Sequence, residues 1–171
     1  MSGVRHVPPG RQLAGLLLQT PRLTLAVAES LTAGHVQSRV GGVSGASKYF
    51  LGGITAYTLE EKVRHLGVDR AAAKRVKCVS AEIAGQMARG VCQLFGADVG
   101  VATTGYAEPS ADDDVMMPFA WWAVALRAKR GRFVLHHGRV ECPGCSRRET
   151  QEIVADAALA ELIAVLQQAR G

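Results

Sequence analysis

Two periods run through the apolar positions of this chain. Leu13, Leu16 and Leu17 recur at helical spacing and predict a helix over residues 9–19, entered at Pro8-Pro9 and ended by Pro21. Residues 23–28 are a short apolar run bounded by polar side chains, which reads as a buried strand. A polar turn follows, Glu29-Ser30-Leu31-Thr32-Ala33-Gly34, and then a helix over about 31–40 with Val36 and Val40 on one face. Residues 50–57 read as a second strand, interrupted at Gly52-Gly53, where a ligand or another backbone can come close. Thr58, three residues before Glu61, opens a helical turn, and residues 70–75 form another short helical piece. Ser80 caps a longer helix with Ile83, Met87, Val91 and Leu94 as its apolar stripe. A third buried strand, 97–103, runs into Thr104-Gly105-Tyr106-Ala107-Glu108-Pro109. After an acidic loop, 110–115, expected to be mobile, residues 119–127 and 132–140 pair as a hairpin. A last helix, 147–168, turns Ile153, Ala157, Leu159, Leu162, Ile163 and Leu166 inward.

Helices alternating with strands, plus one antiparallel hairpin near the end, predict an α/β protein: a three-layer α/β/α fold with a mixed sheet covered on both faces. The 171 residues suit one domain over 9–171, preceded by a flexible segment 1–8. Ligands in such folds bind beyond the carboxyl ends of the strands. Three strand ends here carry reactive polar groups: Ser30, Tyr57 with Lys62, and Thr104.

Composition narrows the classes. Hydrophobic residues make up 48% of the chain but aromatics only 5%, so the core is aliphatic. No apolar run is long enough to cross a bilayer, and the first ten residues lack the apolar stretch of a signal peptide, so a cytoplasmic protein that binds no membrane is expected. The net charge of +5 suits anions, but a nucleic-acid partner would want a basic stripe with stacking aromatics. The cations here are scattered in small clusters, Lys74-Arg75-Lys77 and Arg127-Lys129-Arg130-Arg132. The second of these reads as a solvated hairpin turn, so no nucleic-acid partner is expected. Cys142-Pro143-Gly144-Cys145 could be a redox pair, or half a zinc site with His136 and His137. No second C-x-x-C completes it, and reduced structural thiols are the plain expectation. Asp112-Asp113-Asp114 has the oxygens for a hard cation but no spaced partner. No metal or cofactor is expected.

Ser30 admits two roles. Taken locally it is a helix cap, the usual work of serine at such a turn. Placed with a base it is a nucleophile, and N–H groups of a helix starting near Leu31 would stand ready for an anion. Lys62 serves as that base only if desolvation or nearby positive charge lowers its pKa; taken alone it reads as an exposed helix lysine. Tyr57, five residues before it, could relay or orient the proton.

The motifs resemble one family in order and at compatible spacing over about residues 10–170. Ala28-Glu29-Ser30-Leu31-Thr32-Ala33-Gly34 resembles the A-E-S-C-T-G-G signature of the CinA C-terminal domain family. Ser44 to Lys62 looks like that family's G-S-S-x-x-F-x-x-G-x-x-x-Y-S-N-E-x-K stretch, Val79-Ser80-Ala81-Glu82 like its V-S-E-P segment and Thr104 to Pro109 like its T-G-I-A-G-P loop. Pro143-Gly144 to Arg147, with Ala157-Ala158-Leu159, is similar to its closing G-D-R and A-A-L pattern. The resemblance implies the family's fold and a nicotinamide mononucleotide deamidase, which turns nicotinamide mononucleotide and water into nicotinic acid mononucleotide and ammonia without a metal. It implies Ser30 as nucleophile, Tyr57 and Lys62 as its catalytic companions, and Thr32, Gly34, Thr104, Gly105 and Arg147 about the substrate, with Arg147 at its phosphate. It also implies a homo-oligomer, and a chain without the N-terminal nucleotide-hydrolysing domain of the larger members.

The departures fall around the same site. Leu31 and Ala33 replace Cys and Gly in the signature, and Leu59 replaces the Asn of Y-S-N-E. Tyr106 and Glu108 alter the T-G-I-A-G-P loop, and a carboxylate at Glu108 would oppose a substrate phosphate. Phe119-Ala120-Trp121-Trp122 stands at V-G-T-V, and Gln151 replaces the second arginine of the last motif. They leave open an altered substrate, or a domain that binds a nucleotide or a protein partner without efficient turnover.

Overall fold

The computed structural model describes residues 7–171; of the N-terminal segment 1–8, residues 1–6 lie outside it. A five-stranded mixed sheet forms the centre, in the order β2-β1-β3-β4-β5. β1 (Leu25–Glu29) lies parallel to β2 (Phe50–Thr55) on one side and to β3 (Val99–Tyr106) on the other. β4 (Phe119–Arg127) and β5 (Phe133–Glu141) continue antiparallel, as the alternating hairpin pattern predicts. Helices α1 (Pro9–Leu18), α2 (His35–Gly41) and α6 (Arg147–Arg170) cover one face. Helices α3 (Leu59–Leu66), α4 (Arg70–Arg75) and α5 (Ala81–Phe95) cover the other. This is the expected three-layer α/β/α arrangement. Among the described residues, no helix is long and apolar enough to cross a membrane.

The pleat sorts β1 between the two cores. Leu25 and Val27 face α1, α2 and α6, whereas Ala26 and Ala28 face α5. The α5 side is lined by small residues, Ala26, Ala28, Ala102, Ala123 and Ala125. They let that helix lie close: a Cβ at Gly100 would stand 2.2 Å from the Ala88 carbonyl. Trp122 points to the other face and is buried over Gly138 of β5, where an added Cβ would meet the indole at 2.6 Å. The indole is part of the core on the side of α1, α2 and α6, and a glycine on the neighbouring strand makes room for it.

Several expectations change. The second helix begins at His35 rather than near 31, because residues 31–34 form a turn with Ala33 and Gly34 at φ of 48° and 102°. Leu94 is exposed, and Cys92 completes the buried side of α5 beside Met87 and Val91. Ile153 is exposed, since the register of α6 turns Val154 and Ala155 inward instead. Arg127 ends β4 rather than lying in the turn: its guanidinium donates to the Cys92 carbonyl in the last turn of α5 and to the Ala97 carbonyl just beyond it, and lies over the Phe133 ring. The acidic loop is tied down, with Ser110 and Val115 bridged and Asp113 ion-paired to Lys77.

Candidate active site

The turn after β1 is built on Glu29. This side chain is fully buried, and its carboxylate accepts from the N–H groups of Gly34 (3.0 Å), Val36 (3.1 Å) and Gln37 (2.9 Å). The start of α2 therefore does hold an anion, but the anion is the protein's own carboxylate. Ser30 caps no helix; its N–H donates to the Thr103 carbonyl at 3.1 Å, which extends the β1–β3 pairing by one residue. Its side chain is thus aimed by the sheet. Thr32 and Gly34, expected about the substrate, lie elsewhere. The Thr32 hydroxyl is buried and shares a hydrogen bond of 2.7 Å with the Thr103 hydroxyl, and Gly34 supplies one of the donors to Glu29. Neither lines the cavity above the turn.

That cavity, about 450 Å³, opens beyond the carboxyl ends of β1 and β3, and Ser30, Tyr57, Lys62, Thr104, Gly105 and Arg147 all line it. The sequence separates these residues by as much as 117 positions (147 − 30), and the sheet brings them together. Lys62 comes from α3, whose first turn is held by Thr58 accepting from the Glu61 N–H. It is not an exposed helix lysine: only 2% of it is accessible. Its Nζ donates to Ser30 Oγ at 2.9 Å and to the Tyr57 carbonyl at 3.0 Å. Burial lowers its pKa, partly opposed by the Cys78 thiol. A lysine amine with a depressed pKa, in hydrogen-bonding contact with a serine hydroxyl, is the geometry of a base and its nucleophile.

The other companions are arranged differently from expectation. Tyr57 does not stand between Ser30 and Lys62. Its carbonyl holds the lysine, while its half-exposed phenol accepts from an Arg147 nitrogen at 2.5 Å. The Thr104 hydroxyl is buried and donates to the Cys78 carbonyl at 2.7 Å, leaving its oxygen as an acceptor. Gly105 is glycine because β4 passes so near: a Cβ there would lie 2.3 Å from the Phe119 carbonyl. Arg147 opens α6, whose N-terminus is closed by a capping box of Ser146 and Glu149. Its second nitrogen donates to Glu108 at 2.7 Å across the mouth.

The sequence concealed one wall altogether. Lys77 and Cys78 line the cavity in left-handed backbone, φ 51° and 64°, although neither is glycine. The Lys77 ammonium pairs with Asp113, which also bonds the Ser110 hydroxyl. Burial and the hydrogen bond it donates to Asp113 push the Tyr106 phenol up to about 12. The basic cluster 74–77 and the acidic run 112–114 were both visible, but nothing local says that they meet. As for the C-x-x-C, Cys142 is buried with its pKa raised by that burial, Cys145 is partly buried, and both are free thiols in the turn before α6. Among the described residues, no group of three or more His, Cys, Asp or Glu side chains is placed to hold a metal.

Comparison with known proteins gives this arrangement its relatives. The family model for the CinA C-terminal domain matches residues 10–166. A CinA-like protein of Chlorobium limicola is 36% identical over 162 residues, which cover 94% of this chain but 37% of that protein. The chain thus spans little more than a third of that relative's length. The crystal structure of a competence or damage-inducible protein from Enterobacter asburiae superposes with a TM-score of 0.83 at 26% identity, covering 92% of this chain and 96% of that one. A competence-damaged protein (CinA) superfamily structure from Enterobacter cloacae gives 0.82 at 25% identity, over 97% and 98% of the two chains. The motif order, the sheet and the matched length agree, and the chain belongs to the CinA C-terminal domain family.

Proposed function

We propose that this protein is a serine amidohydrolase of the nicotinamide mononucleotide deamidase type. The observation that carries the reading is the buried contact between Lys62 Nζ and Ser30 Oγ at the floor of the cavity. Neutral Lys62 takes the proton from the Ser30 hydroxyl as its oxygen attacks the carboxamide carbon. The resulting ammonium gives that proton to the departing amino group, which leaves as ammonia, and an ester to Ser30 remains. Lys62, neutral again, deprotonates a water that attacks the ester; the carboxylic acid leaves and Ser30 regains its proton. Tyr57 serves through its carbonyl, which fixes the lysine. The N–H of Leu31, next to the nucleophile on the cavity wall, is the candidate donor to the oxyanion, in place of a helix N-terminus already held by Glu29.

Ammonia release from nicotinamide mononucleotide, measured on the wild type and on Ser30→Ala, tests this. Release by the wild type that disappears in the variant supports it. No release from folded wild type sinks the deamidase activity, and equal release from both sinks Ser30 as nucleophile. A second reading, a domain that binds a nucleotide with little turnover, draws on the Tyr57 phenol being engaged by Arg147 rather than by the Ser30–Lys62 pair. Calorimetric binding of the nucleotide without ammonia release would favour it.

A further inference from the structure

Three basic side chains line the cavity, and each already has partners. Lys62 is held by Ser30 and the Tyr57 carbonyl. Lys77 is paired with Asp113 and donates to the Asp112 carbonyl at 3.3 Å. Arg147, to which the family resemblance gives a phosphate, directs one nitrogen to Glu108 and the other to the Tyr57 phenol. A phosphate is gripped when a guanidinium presents two free N–H groups side by side. Here that fork is divided between a carboxylate and a phenol. At the rim, Lys77 and Arg147 are matched one for one by Asp113 and Glu108.

From this matched rim we infer that Glu108 is a specificity-determining residue that cancels phosphate recognition by Arg147, so that the cavity takes a cationic pyridinium carboxamide nucleoside at least as readily as its 5′-phosphate. The inference rests on the amidohydrolase reading and narrows its substrate class. An exposed ion pair is itself weak and could be displaced. The carboxylate cannot leave, however: wherever the Glu108 side chain turns, its charge stays at the mouth of the cavity, opposing a phosphate and attracting a pyridinium ring. The pair also explains how the departure at 108 is tolerated, since a carboxylate at the rim has Arg147 to meet it.

Calorimetric titration of nicotinamide mononucleotide and of nicotinamide riboside tests the inference, in a Ser30→Ala chain with and without Glu108→Gln. With Glu108 present, the riboside should bind at least as tightly as the nucleotide, within about threefold. Glu108→Gln should raise the ratio of nucleotide to riboside affinity by about tenfold or more, the scale of one unit charge some 4 Å away at a protein rim, while the riboside, losing the attraction of that charge for its pyridinium ring, binds no tighter than before. Adding Arg147→Met should remove that gain. A nucleotide already bound tenfold tighter with Glu108 in place overturns the inference. A nucleotide-to-riboside ratio that Glu108→Gln does not move overturns it too, as does failure of both ligands to bind. The amidohydrolase reading fails by a different observation, the absence of ammonia release from the chain that keeps Ser30, so the two failures are separable.

Discussion

Replacing Glu29 measures how the nucleophile's turn is held. The carboxylate is fully buried and accepts three backbone N–H groups, two on one oxygen from Gly34 and Val36 and one on the other from Gln37. Hydrogen bonds to a charged group contribute about 1.5–3 kcal/mol each, and a buried donor left without a partner costs about 1–3 kcal/mol. Val36 is buried, whereas Gly34 and Gln37 are partly accessible and can recruit water in part. Glu29→Ala should therefore destabilise the fold by about 3–5 kcal/mol, a large share of a typical total of about 5–15 kcal/mol. Glu29→Gln keeps one carbonyl oxygen, enough for the Gly34 and Val36 donors, and turns an NH2 group against the Gln37 N–H. Its cost should be about 1.5–3 kcal/mol. Urea denaturation, followed by circular dichroism, reads both from the shift in midpoint at constant slope. If the Ala variant loses less than about 1 kcal/mol, or if Gln costs as much as Ala, the carboxylate is not what organises this turn. In the Gln variant, ammonia release should also fall although Ser30 and Lys62 are intact, because the turn that aims Ser30 has lost one of its ties.

Three further outcomes are expected. Ala33 sits at φ 48°, a conformation that is costly for a residue with a Cβ, so Ala33→Gly should raise stability by about 0.5–1 kcal/mol in the same denaturation assay; a loss would refute the strain. Gly138→Ala drives a methyl into the Trp122 indole and should cost about 1–3 kcal/mol, whereas in a Trp122→Val background, where the indole is gone, the same substitution should cost less than about 0.5 kcal/mol. Lys62 has its pKa lowered, so the folded state binds fewer protons than the unfolded state between that lowered value and the ordinary lysine value of 10.5. Stability should rise with pH across that window and the rise should vanish in Lys62→Met; ammonia release should climb with pH to a plateau below the ordinary lysine range, and that variant should lose at least about a hundredfold.

The layers of the fold were legible because they depend on periodicity. Every strand was found near its place, and the hairpin and capped helices followed from local chemistry at Thr58 and Ser80. The errors came where a tertiary contact overrides the local pattern. Residues 31–40 carry helical spacing, but the first four of them are drawn into a left-handed turn by the demands of the Glu29 carboxylate. Glu29 was quoted only as part of a motif, since nothing in its neighbours says that its carboxylate turns back onto α2. Lys62 follows two glutamates in α3, and nothing local says that its Nζ is buried against Ser30 and the Tyr57 carbonyl. The pairings of Lys77 with Asp113 and of Glu108 with Arg147 join residues 36 and 39 positions apart, beyond the reach of any local rule.

The departures from the family signature divide according to where the structure puts them. Leu31 turns into a small core with Ala107, Ala120, Cys142 and Val154, and its carbonyl accepts from Gln151 at 2.8 Å. Gln151 thus ties α6 to the nucleophile's turn. Ala33 is exposed on the far side of that turn, and Trp122 fills the core above Gly138. The altered residues that line the cavity are Leu31, Leu59, Tyr106 and Glu108, and the last two meet the ion-paired rim. The Ser30–Lys62 contact is aimed by the sheet through Thr103, whose cross-strand partner is Trp122, and is held by the Tyr57 carbonyl. The departures thus fall both at the cavity, with Leu59, Tyr106 and Glu108, and away from it, with Trp122 in the core and Ala33 on the surface, while Lys62 Nζ stands 2.9 Å from Ser30 Oγ.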